Sequence, residues 1–180
     1  MSELDTFCRQ VRVRSAEHRQ AMLALRALPG LMVSTLRQEL DSLVRVVFLL
    51  AQGDRQYRRR LIGDAVSGRK WTRGGSRQPI SDREMVDLTD TLHGWTKSVY
   101  GFGCAFIHLS HLHDYQTREP LDQIPESEKS AILDHLRHYH GGPHGSAPRF
   151  SDIVPLLPAV FAKMLTPTTR ILFVPPSPTV

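Results

Sequence analysis

Histidine is the residue type whose number and placement in this chain most suggest chemistry. The 180 residues include nine histidines, and seven of them lie between His108 and His144. His108 and His111 are three residues apart, as are His135 and His138, so each pair would lie on one face of a helix. Four such nitrogens could in principle hold zinc, but the spacing matches no established zinc motif, and we predict no metal site. An imidazole without a metal could instead act as base or acid when RNA is cleaved by its own 2′-hydroxyl.

Arginine supplies the second chemical feature. Arg37, Asp41 and Arg45 follow one another at four-residue spacing, which places neighbours on one stripe of a helix. Every position from Leu43 to Leu50 is apolar except Arg45, so we expect Arg45 to be buried and to need a partner or a polar cavity. Either it belongs to a structural ion pair, or it lines a site where it could stabilise a phosphorane while a histidine transfers the proton. The candidate catalytic residues are His108, Arg45 and Asp41, and the candidate central nucleic-acid contacts are Arg37 and His111.

The positive charge of the chain is concentrated in one segment. The formal net charge is +5, from 23 basic and 18 acidic residues. Residues 55–77 contain eight basic residues and one acid, Asp64, which gives +7, so the remaining 15 basic and 17 acidic residues sum to −2. A localised excess of this kind indicates one anionic partner surface. The candidate nucleic-acid contacts in this segment are Arg58, Arg59, Arg69, Lys70, Trp71 and Arg73.

Trp71 in this segment has two interpretations that the sequence does not separate. It lies in a Gly-rich, basic stretch that ends at Pro79 and is typical of a flexible loop. An exposed Trp71 among arginines would suit a phosphate backbone and a stacking base. Alternatively, the loop is merely solvated and Trp71 is packed into the core.

Several enzyme classes lack their motifs in this sequence. There is no Gly-x-Ser-x-Gly elbow, no Cys-His nucleophile signature and no Walker-type phosphate loop. We therefore expect no cofactor. If the protein is an enzyme, the chemistry left open is that of a metal-independent ribonuclease.

The elements that must position these residues are helices. Apolar residues recur at spacings of three and four in segments that predict helices over residues 4–25, 34–51, 55–65, 81–113, 127–139 and 154–165. The fourth has an unbroken apolar seam and predicts one helix of about 33 residues, roughly 50 Å long. We predict an all-α, up-and-down bundle of five to six helices with this long helix at its centre. Residues 1–165 would form one domain, and residues 166–180 a disordered tail.

Polar residues within the apolar seams raise further alternatives. His18 interrupts the seam of the first helix, and it is either a functional imidazole or, as we favour, a hydrogen-bonded core histidine. Cys8 and Cys104 lie in apolar helical patterns and are expected to be reduced, packed thiols. Gly94, Gly101 and His108 form a strip of seven-residue spacing on the long helix. We expect this strip to form a homodimer contact, the alternative being a groove filled by another helix of the same chain.

The location and partners of the chain can also be predicted. No apolar run of about 18 residues and no secretory leader is visible, so we expect a cytoplasmic protein without a membrane span. RNA or a nucleotide is the expected partner, and the sequence does not identify a protein partner.

One layout in the sequence resembles a known family. The stretch Arg37-Gln-Glu-Leu-Asp-Ser-Leu-Val-Arg45, followed by a long helix that ends in Phe106-Ile-His-Leu-Ser110, resembles the HEPN superfamily of helical bundles. The resemblance covers residues 35–139. It implies a dimeric, metal-independent ribonuclease with an Arg-x(4–6)-His motif near the end of the long helix.

This chain departs from that motif, because the arginine positions before His108 are occupied by Gly101, Phe102 and Gly103. Either the protein is non-catalytic, or another arginine, for which Arg45 is the candidate, completes the site. The leading prediction is therefore an RNA- or nucleotide-binding protein, with an endoribonuclease of the toxin or defence type left open. The alternative is a non-catalytic helical module for protein interaction or dimerisation.

Overall fold

The computed structural model describes the backbone of residues 1–172 and the side chains of residues 1–165. The prediction of an all-α bundle is confirmed. Within the described residues there are seven α-helices of twelve residues or more, one single-turn helix and three short 3-10 turns. They are α1 (Glu3–Ala24), α2 (Pro29–Ala51), α3 (Arg55–Val66), α4 (Asp82–His93), α5 (Thr96–Ile107), α6 (Glu126–His140), α7 (Phe150–Ile153) and α8 (Leu157–Leu172).

The first two helices form for reasons that are visible in the sequence. Ser2 caps α1 by accepting a hydrogen bond from the backbone N–H of Asp5, and the Asp5 side chain bonds back to Ser2. Pro29 is the first residue of α2, where its missing N–H costs nothing. Helix α2 therefore begins five residues before the predicted Ser34.

The helix at the centre of the bundle is α2. It packs against α1, α3, α4, α5 and α8, and side chains all round its later turns are buried, among them Leu40, Leu43, Val44 and Val47. The sequence placed the long central helix at residues 81–113 instead. That assignment is wrong, although a long central helix does exist.

The predicted long helix is two helices with a break at Gly94. Gly94 has φ of +67°, a left-handed conformation that suits glycine, and its N–H bonds to the carbonyl of Asp90 to close α4. The Asp90 carboxylate then accepts hydrogen bonds from the Thr96 hydroxyl and the Lys97 N–H, both at 3.1 Å, which starts α5. Periodicity missed the break because apolar residues keep a spacing of three and four in the sequence on both sides of Gly94.

The carboxyl-terminal helix also differs from its prediction. Residues 154–156 form a 3-10 turn, and α8 extends from Leu157 to Leu172, past the predicted end at Leu165. The first part of the predicted disordered tail is therefore helical. Residues 173–180 of that tail lie outside the described residues.

The buried apolar side chains of these helices belong to one contiguous core. Side chains with no exposed area come from separate parts of the chain: Leu40, Leu43, Leu61, Leu121 and Met164. In residues 1–172, no helix is long and apolar enough to cross a membrane.

Candidate functional site

The predicted catalytic residues do not meet in one cleft of this chain. The Ser34 hydroxyl bonds to the Phe106 carbonyl at 2.8 Å, so the end of α5 that leads to His108 lies beside the start of α2. Arg45 is eleven residues farther along α2, a rise of about 16 Å, and it pairs with Asp82 at the start of α4. The chain therefore separates Arg45 from His108.

Arg45 is not the buried arginine of α2. Its side chain is 41% exposed, and its Nη2 lies 3.2 Å from Asp82 Oδ1. Its guanidinium lies 5.3 Å from the centre of the Trp71 ring. The prediction that Arg45 is buried is therefore wrong. Its side chain extends to the edge of the bundle, where it pairs with Asp82 at the start of α4.

The buried arginine is Arg37, whose side chain is 5% exposed. Its guanidinium lies 3.9 Å from the centre of the Tyr100 ring, bonds to Asp41 and donates from Nε to Cys104 Sγ at 3.4 Å. A Cβ on Gly103 would lie 2.7 Å from Arg37 Cβ, so only glycine leaves room for this arginine. Within the predicted stripe of Arg37, Asp41 and Arg45, Asp41 pairs with Arg37, and Arg45 pairs with Asp82 and not with Asp41.

The electrostatics of this arginine cluster follow from its packing. Burial is the largest effect on the pKa of Arg37 and lowers it, but hydrogen bonds to Cys104 and Asp41 outweigh burial and hold that pKa above its usual value. Burial also raises the pKa of Tyr100, and Cys104 acts in the same direction. Arg37 therefore stays charged, and its guanidinium is bound by partners within the protein.

The predicted histidine pairs are dispersed. His108 directly follows the last residue of α5, and both His108 and His111 are exposed. His135 lies among rings, 5.8 Å from Trp95 and 5.6 Å from His140 between ring centres. Burial, aided by the nearby Lys163 and neighbouring histidines, lowers the pKa of His135 to about 4. No cluster of three or more potential metal ligands occurs among the residues that the structure describes.

Some of the predicted nucleic-acid contacts on α3 and the following turn already have partners within the protein, and others do not. Arg58 is half-buried and donates to the Gln52 carbonyl, which closes the end of α2. Arg69 pairs with Asp64 at 2.8 Å, and Arg73 pairs with Glu84 at 2.9 Å. Arg59 and Lys70 are exposed and make no ion pair with any described carboxylate.

Residues 67–79 form an ordered turn and not a flexible loop. Arg73 N–H bonds to the Gln78 carbonyl and Ile80 N–H to the Trp71 carbonyl, so the two sides of the turn face each other. The turn is attached to α3 because Arg60 donates to the Thr72 carbonyl at 2.7 Å and the Tyr57 hydroxyl donates to the same oxygen at 3.1 Å. The basic residues of α3 and of the turn therefore share one supported surface.

Trp71 cannot be the predicted exposed stacking platform. It is 3% exposed and lies 6.0 Å from the Phe48 ring, centre to centre. The core interpretation of Trp71 is correct. Trp71 anchors the basic turn to the bundle by packing on Phe48, and its ring also contacts the Arg45 guanidinium.

A buried polar group that the sequence did not single out is Glu39. Its side chain has no exposed area, and it accepts a hydrogen bond from the Ser15 hydroxyl at 2.6 Å. His18 Nδ1 lies 2.7 Å from the other carboxylate oxygen. This geometry confirms His18 as a hydrogen-bonded, largely buried histidine. The signal was available, since Ser15 and His18 interrupt the seam of α1 and Glu39 lies among the apolar residues of α2.

The strip predicted for a dimer contact does not exist as one surface. Gly94 is the C-cap of α4, so the free-energy penalty of a glycine inside a helix does not apply to it. A Cβ on Gly101 would lie 3.2 Å from Glu128 Oε1, which places α6 of the same chain over that position. His108 lies beyond the end of α5. The physical reason for predicting a dimer through this strip is therefore removed.

Comparison with known proteins gives no relative. No family model matches the chain, and no curated protein and no solved structure is significantly similar to it. The interpretation of function therefore depends on the residues and their geometry.

Proposed function

We propose that this protein binds single-stranded RNA through the surface formed by α3 and the turn that follows it. The name basic surface is used here for its five exposed cations without a carboxylate partner among the described residues: Arg55, Arg59, Arg60, Lys70 and Arg77. The observation that supports the proposal is that none of the five forms an ion pair with a carboxylate among the described residues. The segment has +7 in total, and its carboxylate Asp64 is already paired with Arg69.

The arrangement suits a phosphate backbone. Arg55 and Arg59 are one helical turn apart on α3, and both are exposed. Arg60 stacks 4.9 Å from the Tyr57 ring centre while it holds the turn, so the loop cations keep a fixed relation to the helix. Repulsion among such neighbours is relieved when an anion binds, and phosphate contacts of this type give affinity without sequence preference.

The proposal concerns binding and does not require cleavage. Ribonuclease activity, the relation to the HEPN superfamily and a homodimer remain predictions from the sequence. A cleavage site built from Arg45 and His108 would need residues that this chain keeps apart. The alternative, a protein-interaction module, draws support from Ile107 and Leu109, which are 40% and 95% exposed just before and after His108.

The test is an RNA-binding titration with a charge-matched control. Arg55→Ser, Arg59→Ser and Lys70→Ser together remove three cations without touching Arg60, which holds the turn. Arg9→Ser, Arg19→Ser and Arg26→Ser remove three exposed cations on or just after α1. We expect the first variant to bind a single-stranded oligoribonucleotide at least about tenfold more weakly, because phosphate contacts are lost, and the control to bind nearly as well as wild type. Equal losses in the two variants would refute a localised basic surface.

A further inference from the structure

A cleft between α1, α2 and α3 is separate from the basic surface and has a different character. It has about 150 Å³ of free volume. Its floor includes the buried Phe7 and Val11, and Ala65 of α3 lies at one side. The polar residues at its edges are Gln10, Arg14, Ser42 and Arg45.

The two helices bring these polar groups together because α1 and α2 are antiparallel. His18 and Ser15 contact Glu39, whereas residues nearer the start of α1 line the cleft together with the later Ser42 and Arg45. The cleft thus lies one turn beyond the Glu39 hydrogen bonds. No carboxylate lines it, since Glu39 is enclosed by its own partners.

Both arginines at the cleft are already oriented by other contacts. Arg45 is fixed by Asp82 at 3.2 Å and by the Trp71 ring. Arg14 donates from Nη2 to the Gln38 carbonyl at 3.2 Å. Each guanidinium carries five N–H donors, so most remain available on each side chain. Orientation before binding reduces the conformational entropy that a ligand must overcome.

Ser42 supplies the third donor. The residue is 6% exposed, and among described residues its hydroxyl makes no hydrogen bond. The carbonyl one turn earlier, that of Gln38, which a helical serine commonly uses, accepts from Arg14 instead. Because Ser42 lines the cleft, a ligand bound there can accept a hydrogen bond from this hydroxyl.

We infer that this cleft binds one tetrahedral phosphate group, with Arg14 and Arg45 as charged donors and Ser42 and Gln10 as neutral donors. A phosphate group, with its five heavy atoms, is small enough to enter this open cleft. Planar guanidinium groups match phosphate oxygens in pairs. The inference does not depend on RNA binding by the basic surface, because free phosphate and an RNA phosphate present the same chemistry.

The first experiment uses the full chain and inorganic phosphate. Phosphate should shift the side-chain Nε–H resonances of Arg14 and Arg45 in nitrogen-resolved NMR spectra, against chloride at equal ionic strength. Ser42→Ala and Arg14→Gln should each weaken phosphate binding about fivefold or more, the loss of about one hydrogen bond or more. Arg26→Gln, which changes an exposed arginine outside the cleft, should leave binding unchanged. Folded protein in which neither arginine responds, or variants that bind phosphate as wild type does, would overturn the inference.

The second experiment identifies the source of the phosphate. A 5′-phosphorylated oligoribonucleotide and its 5′-hydroxyl counterpart are titrated with and without inorganic phosphate. Tighter binding of the phosphorylated strand, abolished in Ser42→Ala, assigns the cleft to an RNA terminus. Equal binding, with arginine shifts produced by inorganic phosphate and by neither RNA, assigns it to free phosphate. If no RNA binds while inorganic phosphate still shifts both arginines, the proposed function fails and the cleft assignment stands.

Discussion

Arginines are used in two different ways on neighbouring elements of this molecule. On α2, Arg37 is enclosed by Tyr100, Asp41 and Cys104. On α3, Arg55 and Arg59 are exposed and form no ion pair with a described carboxylate. A paired, buried arginine contributes to the fold, whereas clustered, uncompensated arginines are suited to an external anion. Residue type alone would have grouped all of them as one site.

The largest expected effect comes from removing the enclosed arginine. Arg37→Ala should lower the free energy of unfolding by about 3 kcal/mol, because it leaves a cavity against Gly103 and removes the partner of Asp41. The comparison variant Arg59→Ala should change stability by no more than about 0.5 kcal/mol. Urea denaturation of both variants measures the difference. Equal stabilities would show that Arg37 is not held as described.

The room that glycine provides for Arg37 gives a second prediction. Gly103→Ala should destabilise the protein by about 1–3 kcal/mol, since its Cβ would lie 2.7 Å from Arg37 Cβ. Gly101→Ala is the matched control two residues away on the same helix, where the Cβ would meet only the end of the flexible Glu128 side chain. That variant should be neutral or slightly stabilising, because alanine favours helix over glycine. The reverse order in thermal denaturation would contradict this packing.

The pH dependence of stability tests a second enclosed group. The pKa of His135 is lowered to about 4 in the folded protein from an ordinary 6.5, so the folded state favours the neutral ring. Its contribution to stability is present above pH 6.5 and is lost as pH falls towards 4, where the unfolded chain takes up the proton first. His135→Gln should make the decline in stability over this range shallower. The exposed His111, changed in the same way, serves as the control, and an unchanged decline in His135→Gln would contradict the assignment.

The smallest expected effect concerns Trp71, at the boundary between the two regions. In Trp95→Phe, fluorescence reports Trp71 alone, since the chain has two tryptophans. Acrylamide should quench this emission weakly, and saturating RNA should change it little, because Trp71 is 3% exposed. Strong quenching by RNA would mean that a base stacks on the ring, which would restore the exposed interpretation.

What the sequence predicted well was the set of interactions that depend on local spacing. The all-α class and the placement of Arg37 and Asp41 on one stripe of α2 both follow from patterns within a few residues. The single helix over residues 81–113 failed because the spacing of apolar residues continues in the sequence past Gly94, although Leu92 beside the break is 65% exposed. Periodicity alone cannot distinguish a capped glycine from an interior one.

The candidate site was harder to predict because its members are set by tertiary contacts. Arg37 and Arg45 occupy equivalent positions on one helical stripe, and only the neighbours in space decide that one is enclosed by Tyr100 and the other reaches Asp82. Trp71 has the same difficulty, since a basic, Gly-rich neighbourhood does not reveal Phe48 beneath the ring. The net charge of the basic segment could be predicted, because counting charged residues requires no knowledge of tertiary contacts.

The most direct test of the account is the salt dependence of RNA binding. The logarithm of the association constant should fall linearly with the logarithm of salt concentration, by about 0.7 for each phosphate contact to a single strand. The variant with Arg55, Arg59 and Lys70 changed to serine should lose about 2 from that slope, while the Arg9, Arg19 and Arg26 variant should keep the wild-type slope. A wild-type slope near zero, or equal slopes in all three proteins, would contradict the assignment of RNA binding to the basic surface.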